Sequence, residues 1–387
     1  MASLNLNARI KMLFWLDSSL ADAIKETKNS NVISSAINRI IDAQIYGNHL
    51  YFSDYRTLKT ILNNGNIENR AKEHLLKIYN SYSEKGLYRD FRIYVEVIWG
   101  NNLREIIKKD NKTLIRLSPD VIMNSRITER AIFLCENSRD IKLYSRVADF
   151  FLGENRSFRG LKIDYDSING GGNNISDQYD LFQKENQKFC LCIVDTDWEY
   201  KGANFGNTAQ RLLQVHNRNI TNGIPKVFCV YKPILSREAE NLIPFPIFQE
   251  LIFEHPDCSG FINWLEQLER KNIEARFFVN IKEGLYFKKI VEKGDKEAIR
   301  YWAKLLKDWL NGCNYLQEEI CLKDCACFKV QGIGNHVLDQ VLPILERTTN
   351  QKLGESLKRY PMLYEQWMDI GESIFYWFVC AAIDHIH

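Results

Sequence analysis

Hydrophobic positions in the middle of the chain fall in short unbroken runs. Lys188–Asp197 reads KFCLCIVDTD and Ala131–Glu136 reads AIFLCE. Continuous apolar runs of this length predict strands buried on both faces, as in a parallel sheet. Two further strands are predicted at Leu161–Ile168 and at Lys226–Tyr231, the latter opening after Pro225. Helical stretches are predicted at Ile141–Gly153, from about Ser176 to Lys184, and at Thr208–Asn217, with Asn207 as a cap for the last. Strands that alternate with helices or long loops predict an α/β fold with a parallel sheet covered on both faces.

The flanks read as mainly helical, giving a division into 1–127, 128–245 and 246–387. Ile10–Glu26 carries apolar residues at helical spacing, and Ser30 or Asn31 is placed to cap a second helix that Gly47 stops after Tyr46, so a helical hairpin is expected. Glu68–Tyr82 predicts a helix, and the alternating Phe91–Ile98, FRIYVEVI, a half-buried strand. Towards the end, Phe261–Lys271, Lys296–Leu310, Val337–Arg347 and Met362–Ile386 predict helices, and Ala275–Ile281 a strand. Trp302, Trp309, Trp367 and Trp377 fall on these helices and read as core or as the surface of a homodimer. Neither a low-complexity linker nor a fixed-period repeat separates the regions.

Composition adds limits. A net charge of +2 gives no overall pull towards a polyanion, so any nucleic acid has to be met by a local patch. Lys108, Lys109, Lys112 and Arg116 form one basic stretch, readable as a solvated loop or as a phosphate-contacting edge. Of the ten cysteines, Cys135, Cys190, Cys192 and Cys229 lie inside predicted strands, where a thiol acts as a small apolar residue. With a polar start at Met1–Arg9, this predicts a reducing, cytoplasmic setting. No run reaches the length of a membrane span.

The candidate chemistry lies at the strand ends. In an open α/β sheet the ligand site lies beyond the carboxyl ends of the strands. The first run closes on Glu136, followed by Asn137, Ser138, Arg139 and Asp140, and the second closes on Asp195 and Asp197. Three carboxylates at neighbouring strand ends repel one another unless cations neutralise them, and hard divalent ions with oxygen ligands serve that purpose. The bland alternative is a doubly wound domain whose strand-end acids cap the next helices.

Strand ending in Glu, helix, strand, Gly-rich turn, helix, strand ending in Asp-x-Asp is the order of the Toprim domain, and residues 128–245 resemble it. The Glu136-x-x-x-Asp140 spacing, the turn at Asn169–Gly172 and the Asp195/Asp197 pair are similar to Toprim nucleases of the overcoming-lysogenization-defect group and their phage-defence relatives. Glu238–Pro244, EAENLIP, resembles the Glu-Asn-Leu segment that many of those proteins carry. The chain departs from the pattern at Asn137, where the family usually has Gly. The resemblance implies Mg²⁺-dependent (or Mn²⁺-dependent) hydrolysis of phosphodiester bonds in DNA or RNA. It implies that Glu136 acts as metal ligand or general base, that Asp195 and Asp197 hold the metal, and that Asp140 ligates directly or through water. Glu240 either completes a second metal site or is a structural acid. Gly170, Gly171 and Gly172 with Asn173 either offer donors to a phosphate or form a plain turn into the next helix. The same resemblance implies a toxic effector of anti-phage defence. No P-loop sequence is present, so any controlling nucleotide hydrolysis falls to an ATPase or sensor partner. A non-catalytic nucleic-acid-binding or assembly module on the same fold is the other expectation.

Two more constellations stand apart. Arg211-x4-His216 has the spacing of a HEPN ribonuclease pair, but five helical residues rotate the two by roughly 140°. Cys321, Cys325 and Cys327, with Cys313 or His336, supply enough ligands for zinc, yet C-x3-C-x-C fits no strong zinc pattern and reads as reduced thiols.

Overall fold

The computed structural model describes residues 12–80, 91–158, 161–223, 227–315, 321, 325 and 327–381. The chain is α/β and divides into two compact units. The first is drawn from Met1–Ile193, Leu212–Lys232 and Ile370–His387, the second from Val194–Arg211 and Pro233–Asp369.

The first unit contains two main sheets. One is built from β1 (Leu13–Leu16), β2 (Leu50–Ser53), β3 (Ile93–Val97), β4 (Arg104–Lys109) and β5 (Lys112–Leu117), in the order β2-β1-β3-β5-β4. Its pairings are parallel except for the β4–β5 hairpin. The helical spacing at Ile10–Glu26 therefore gives way to β1 and a short helix, Ser18–Ala23. Leu13–Leu16 is four bulky apolar residues in a row, and insertion between β2 and β3 buries it more fully than one helical face would. Helix Thr27–Ile45 follows, starting ahead of Ser30 and Asn31, and gives way to Tyr46 and Gly47, whose φ of 70° is left-handed. The predicted helix at Glu68–Tyr82 is observed over Asn69–Asn80, with the two residues beyond it in the undescribed segment. The basic stretch is an edge hairpin turning at Asp110 and Asn111, both at positive φ. Lysines on a sheet edge discourage pairing with another chain.

The other sheet uses β6 (Ile132–Cys135), β8 (Asp166–Asn169), β9 (Cys190–Val194) and β10 (Cys229–Pro233), in the order β8-β6-β9-β10. β6 runs parallel to both β8 and β9, with Cys135 opposite Asn169 on one side and Ile193 on the other. Every residue of β6 and β9 is buried, as their unbroken apolar sequences require. Helices Ser138–Glu154 and Ile175–Glu185 form the crossovers, and the right-handed rule puts them on opposite faces.

The predicted strand Leu161–Ile168 is two strands. β7 (Leu161–Ile163) leaves the sheet and pairs antiparallel with β13 (Val379–Ala381), and only β8 joins β6. Helix Pro361–Phe378 accordingly stops where β13 begins, short of the predicted Ile386, and residues 382–387 lie outside the described part. Its end packs inward. Phe378 lies 4.9 Å from the Phe133 ring and Phe375 lies 4.3 Å from Phe158. Trp377, Phe375 and Ile374 are all buried within the chain, so these residues serve its core.

The second unit is mainly helical, with helices Phe245–Glu254, Ser259–Lys271, Phe287–Lys293, Lys296–Leu305, Val337–Arg347 and Asn350–Leu357. One antiparallel pair, β11 (Gly284–Tyr286) with β12 (Lys329–Gln331), completes it. The strand expected at Ala275–Ile281 is a 3₁₀ turn over Ala275–Phe278. Its carbonyls are drawn inward, because Asn241 Nδ2 donates to Arg276 O at 2.7 Å and to Val279 O at 2.9 Å. Trp302 and Trp367 are buried, and their indole N–H groups donate to Glu199 O and Leu242 O. Among the described residues no helix is long and apolar enough to cross a membrane.

Candidate functional site

Strand order decides where a ligand would sit. The chain steps from β6 outward to β8, then returns to the other side of β6 for β9 and β10. The order reverses between β6 and β9, and that switch point is where open α/β sheets bind ligands, outside the carboxyl ends. Glu136 follows β6 by one residue and Asp195 follows β9 by one.

In the first unit, Glu136 is half-buried. Asn137 is the N-cap of helix Ser138–Glu154, and its Oδ1 accepts from the amides of Arg139 and Asp140 at 2.8 and 3.1 Å. Asp140 completes a reciprocal capping box, its Oδ2 accepting from Asn137 N at 3.1 Å and Asn137 Nδ2 at 2.7 Å. Asp140 is only 4% exposed. Asp140, expected as a metal ligand, also serves as the capping acid of this helix, and Asn137, where the Toprim pattern has Gly, is the cap.

The glycine turn is likewise occupied. Gly170 N donates to Cys135 O at 2.8 Å, Gly171 N to Asn169 Oδ1 at 3.0 Å, and Gly172 N to Glu136 O at 3.3 Å. A Cβ on Gly170 would stand 2.6 Å from that of Ile175 and 3.0 Å from Cys135 O, so glycine is needed for the turn to close on the end of β6. All three amides are spent within the protein. These internal bonds favour the plain turn over the phosphate cradle, and the backbone of Asn173 belongs to the 3₁₀ turn Gly172–Asn174.

In the second unit, Thr196 is buried between the two acids, its hydroxyl donating to Ser236 O at 2.6 Å. Asp195 is half-buried and Asp197 exposed. Asp197 sits at φ 55°, a left-handed conformation uncommon for a residue with a side chain, and its amide donates to Arg237 O at 2.8 Å. Gly206 makes room for it, because a Cβ there would fall 2.1 Å from Asp197 Oδ2.

Glu240 and Glu238 converge on Lys282. Lys282 Nζ lies 3.0 Å from Glu240 Oε1 and 3.3 Å from Glu238 Oε2. Asn241 fixes this segment, because its Oδ1 accepts from Glu238 N at 2.8 Å while its amide holds the Arg276 and Val279 carbonyls. Glu238 Oε1 also accepts from Ile281 N at 2.6 Å. Burial, reinforced by the Glu238 charge and opposed by Lys282, pushes Glu240 up to about 7. Burial works to lower Lys282, but the charges of Glu238, Glu240 and Asp195 outweigh it and hold the ammonium above its ordinary range. Glu240 Oε2 is buried and accepts no hydrogen bond from the described residues. Strong burial plus a specific charge partner is the pattern of functional carboxylates, although structural networks share it.

Lys282 and Glu238 were not singled out by sequence. Lys282 stands alone in NIKEG, and only the fold brings it to the EAENLIP segment. An open cleft of about 220 Å³ in the same unit, lined by Glu199, Arg237, Tyr286, Lys289 and Lys293, includes none of the expected acids. His216, of the Arg211-x4-His216 pair, is half-buried, and its Nδ1 meets Tyr179 Oη at 2.8 Å within the first unit. Among the described residues of each unit, no three of the acids bring ligand atoms inside 4.8 Å of one another, whereas four cysteines of the second do.

Comparison with family models, with curated proteins and with solved structures finds no match to this chain.

Proposed function

We propose that this protein is a Toprim-like, Mg²⁺-dependent nuclease, hydrolysing phosphodiester bonds in DNA or RNA. The observation that carries the reading is the reversal of strand order between β6 and β9, with Glu136 the next residue after one strand and Asp195 the next after the other. Phosphodiester hydrolysis needs charge stabilisation at the non-bridging oxygens and an activated water, and a cation held by carboxylates supplies both. On the Toprim resemblance, Glu136, Asp195 and Asp197 are the residues that would serve as ligands. Glu240, with its affinity for protons near neutrality, is suited to take or give a proton at the same pH. Lys282 keeps its charge and offers a counter-ion to phosphate. The left-handed Asp197 supports a functional role, since backbone strain concentrates where side-chain position matters more than stability. An effector role in anti-phage defence with an ATPase or sensor partner, in the cytoplasm, belongs to the same proposal and rests on the resemblance alone.

A non-catalytic nucleic-acid-binding or assembly module is favoured by a specific pair of findings: the glycine-turn amides are internally bonded, and Asp140 is a cap. Incubating the protein with a mixed DNA and RNA panel separates the two. The nuclease reading expects cleavage with Mg²⁺ or Mn²⁺, little with Ca²⁺ and none in EDTA. Robust cleavage in EDTA, or none under any metal, overturns it.

A further inference from the structure

Away from the strand-end acids, the second unit gathers four thiols that the proposed nuclease does not use. The geometry points to a structural zinc site formed by Cys313, Cys321, Cys325 and Cys327.

The argument begins with distances. Cys313 Sγ lies 4.0 Å from Cys321, 3.4 Å from Cys325 and 3.5 Å from Cys327. Cys327 Sγ lies 3.3 Å from both Cys321 and Cys325. All four sulfurs fall within 4.8 Å of one another. Four thiolates at about 2.3 Å from a tetrahedral zinc stand about 3.8 Å apart along each edge, so the sulfurs already have nearly the size of the cage. A disulfide needs about 2.05 Å, and all four are free thiols. A multi-iron cluster has to fit several metal and sulfide ions between the thiolates, and this cage has room for one ion.

The surroundings agree. Asn314 N donates to Cys325 Sγ at 3.4 Å, the kind of backbone bond that orients a metal-bound sulfur. Cys313 is buried and the other three half-buried, which encloses the site but leaves an entry path. Four protein ligands leave no open position, so the ion would be structural. Its place explains why it is useful. The cage bridges the stretch between the 3₁₀ turn Lys307–Trp309 and β12. Tyr315 packs on Phe287 at 5.4 Å, Phe328 packs on Trp264 at 5.4 Å, and Phe287 N donates to Phe328 O at 3.1 Å. A metal would therefore clamp both ends of the stretch onto the β11–β12 pair. His336, the alternative fourth ligand, is exposed and engages Asp339. The spacing C-x7-C-x3-C-x-C resembles no common zinc pattern, which is why the sequence read as reduced thiols. Among tetrahedral thiolate sites zinc competes with a single iron, and zinc binds such ligands more tightly than ferrous iron.

Elemental analysis of the full chain purified without added metal tests the site directly. We expect about one zinc per chain and negligible iron, with zinc falling close to background in Cys325→Ser/Cys327→Ser. Should that variant fail to fold, the wild-type chain is unfolded in denaturant with a chromogenic chelator, and stoichiometric zinc release is expected. Replacement by Co²⁺ should give the thiolate charge-transfer and ligand-field bands of a tetrahedral sulfur site. Absence of metal in protein whose four thiols react freely with a thiol reagent overturns the proposal, as does stoichiometric iron or an intact mass that shows a disulfide.

Discussion

One ammonium serves two buried carboxylates: Lys282 Nζ lies 3.0 Å from Glu240 Oε1 and 3.3 Å from Glu238 Oε2, and those acids are 3% and 7% exposed. Removing the cation alone strands two like charges, the costly way to break such a network. Lys282→Met should therefore destabilise by about 2–4 kcal/mol. Glu240→Gln should cost far less, and the double variant should recover part of the loss. Urea titration of the three variants checks this, and additive losses would mean that the groups are not coupled.

The pH dependence has a definite sign. Glu240 is raised from the ordinary carboxyl range to about 7 in the folded state, so between those values the native protein binds more protons than the unfolded chain. Its contribution makes stability fall as pH rises from about 4.5 to about 7. Melting temperature followed across that window should decline in the wild type, and the decline should flatten in Glu240→Gln.

Asp197 and Gly206 make a linked prediction. Asp197→Gly relieves a left-handed backbone and should hold stability level or raise it by about 1 kcal/mol. Cleavage should nevertheless drop by orders of magnitude. Gly206→Ala places a methyl against Asp197 Oδ2 and should lower activity without replacing any acid. Melting curves beside a cleavage assay read both effects.

Capping and chemistry should separate at the end of β6. Asn137→Ala and Asp140→Ala each remove half of a capping box and should cost about 0.5–2 kcal/mol, leaving the activity of the folded fraction largely intact. Glu136→Ala should do the reverse. Specific activity normalised to folded protein, measured for all three, distinguishes the roles.

The buried strands were legible because both faces of β6 and β9 are covered, and their unbroken apolar runs leave no other reading. Helix Val337–Arg347 was equally clear from its amphipathic spacing. Strands β1 and β2 were missed because each is only four residues long and gains its burial from non-local partners. The split of Leu161–Ile168 was invisible for the same reason, since β7 is recruited by β13 from the far end of the chain. That Glu136 and Asp195 directly follow β6 and β9 was legible from the acids that close the two apolar runs. The Asp140 cap was legible only in part: Asn137 three residues ahead of an acid is a capping-box signal, which the Toprim spacing overshadowed. Lys282 depends on tertiary approach and carries no local signature, whereas the four cysteines were visible but their spacing fits no common zinc pattern.

The central claim is that the acids following β6 and β9 bind a divalent cation. Electron paramagnetic resonance of added Mn²⁺ measures the bound fraction directly, for the wild type, Glu136→Gln and Asp195→Asn, with melting curves to confirm folding. Saturable binding by the wild type, displaced by Mg²⁺ and weakened at least about tenfold in each variant at unchanged melting temperature, is the predicted result. Equal Mn²⁺ binding by all three proteins would contradict the account.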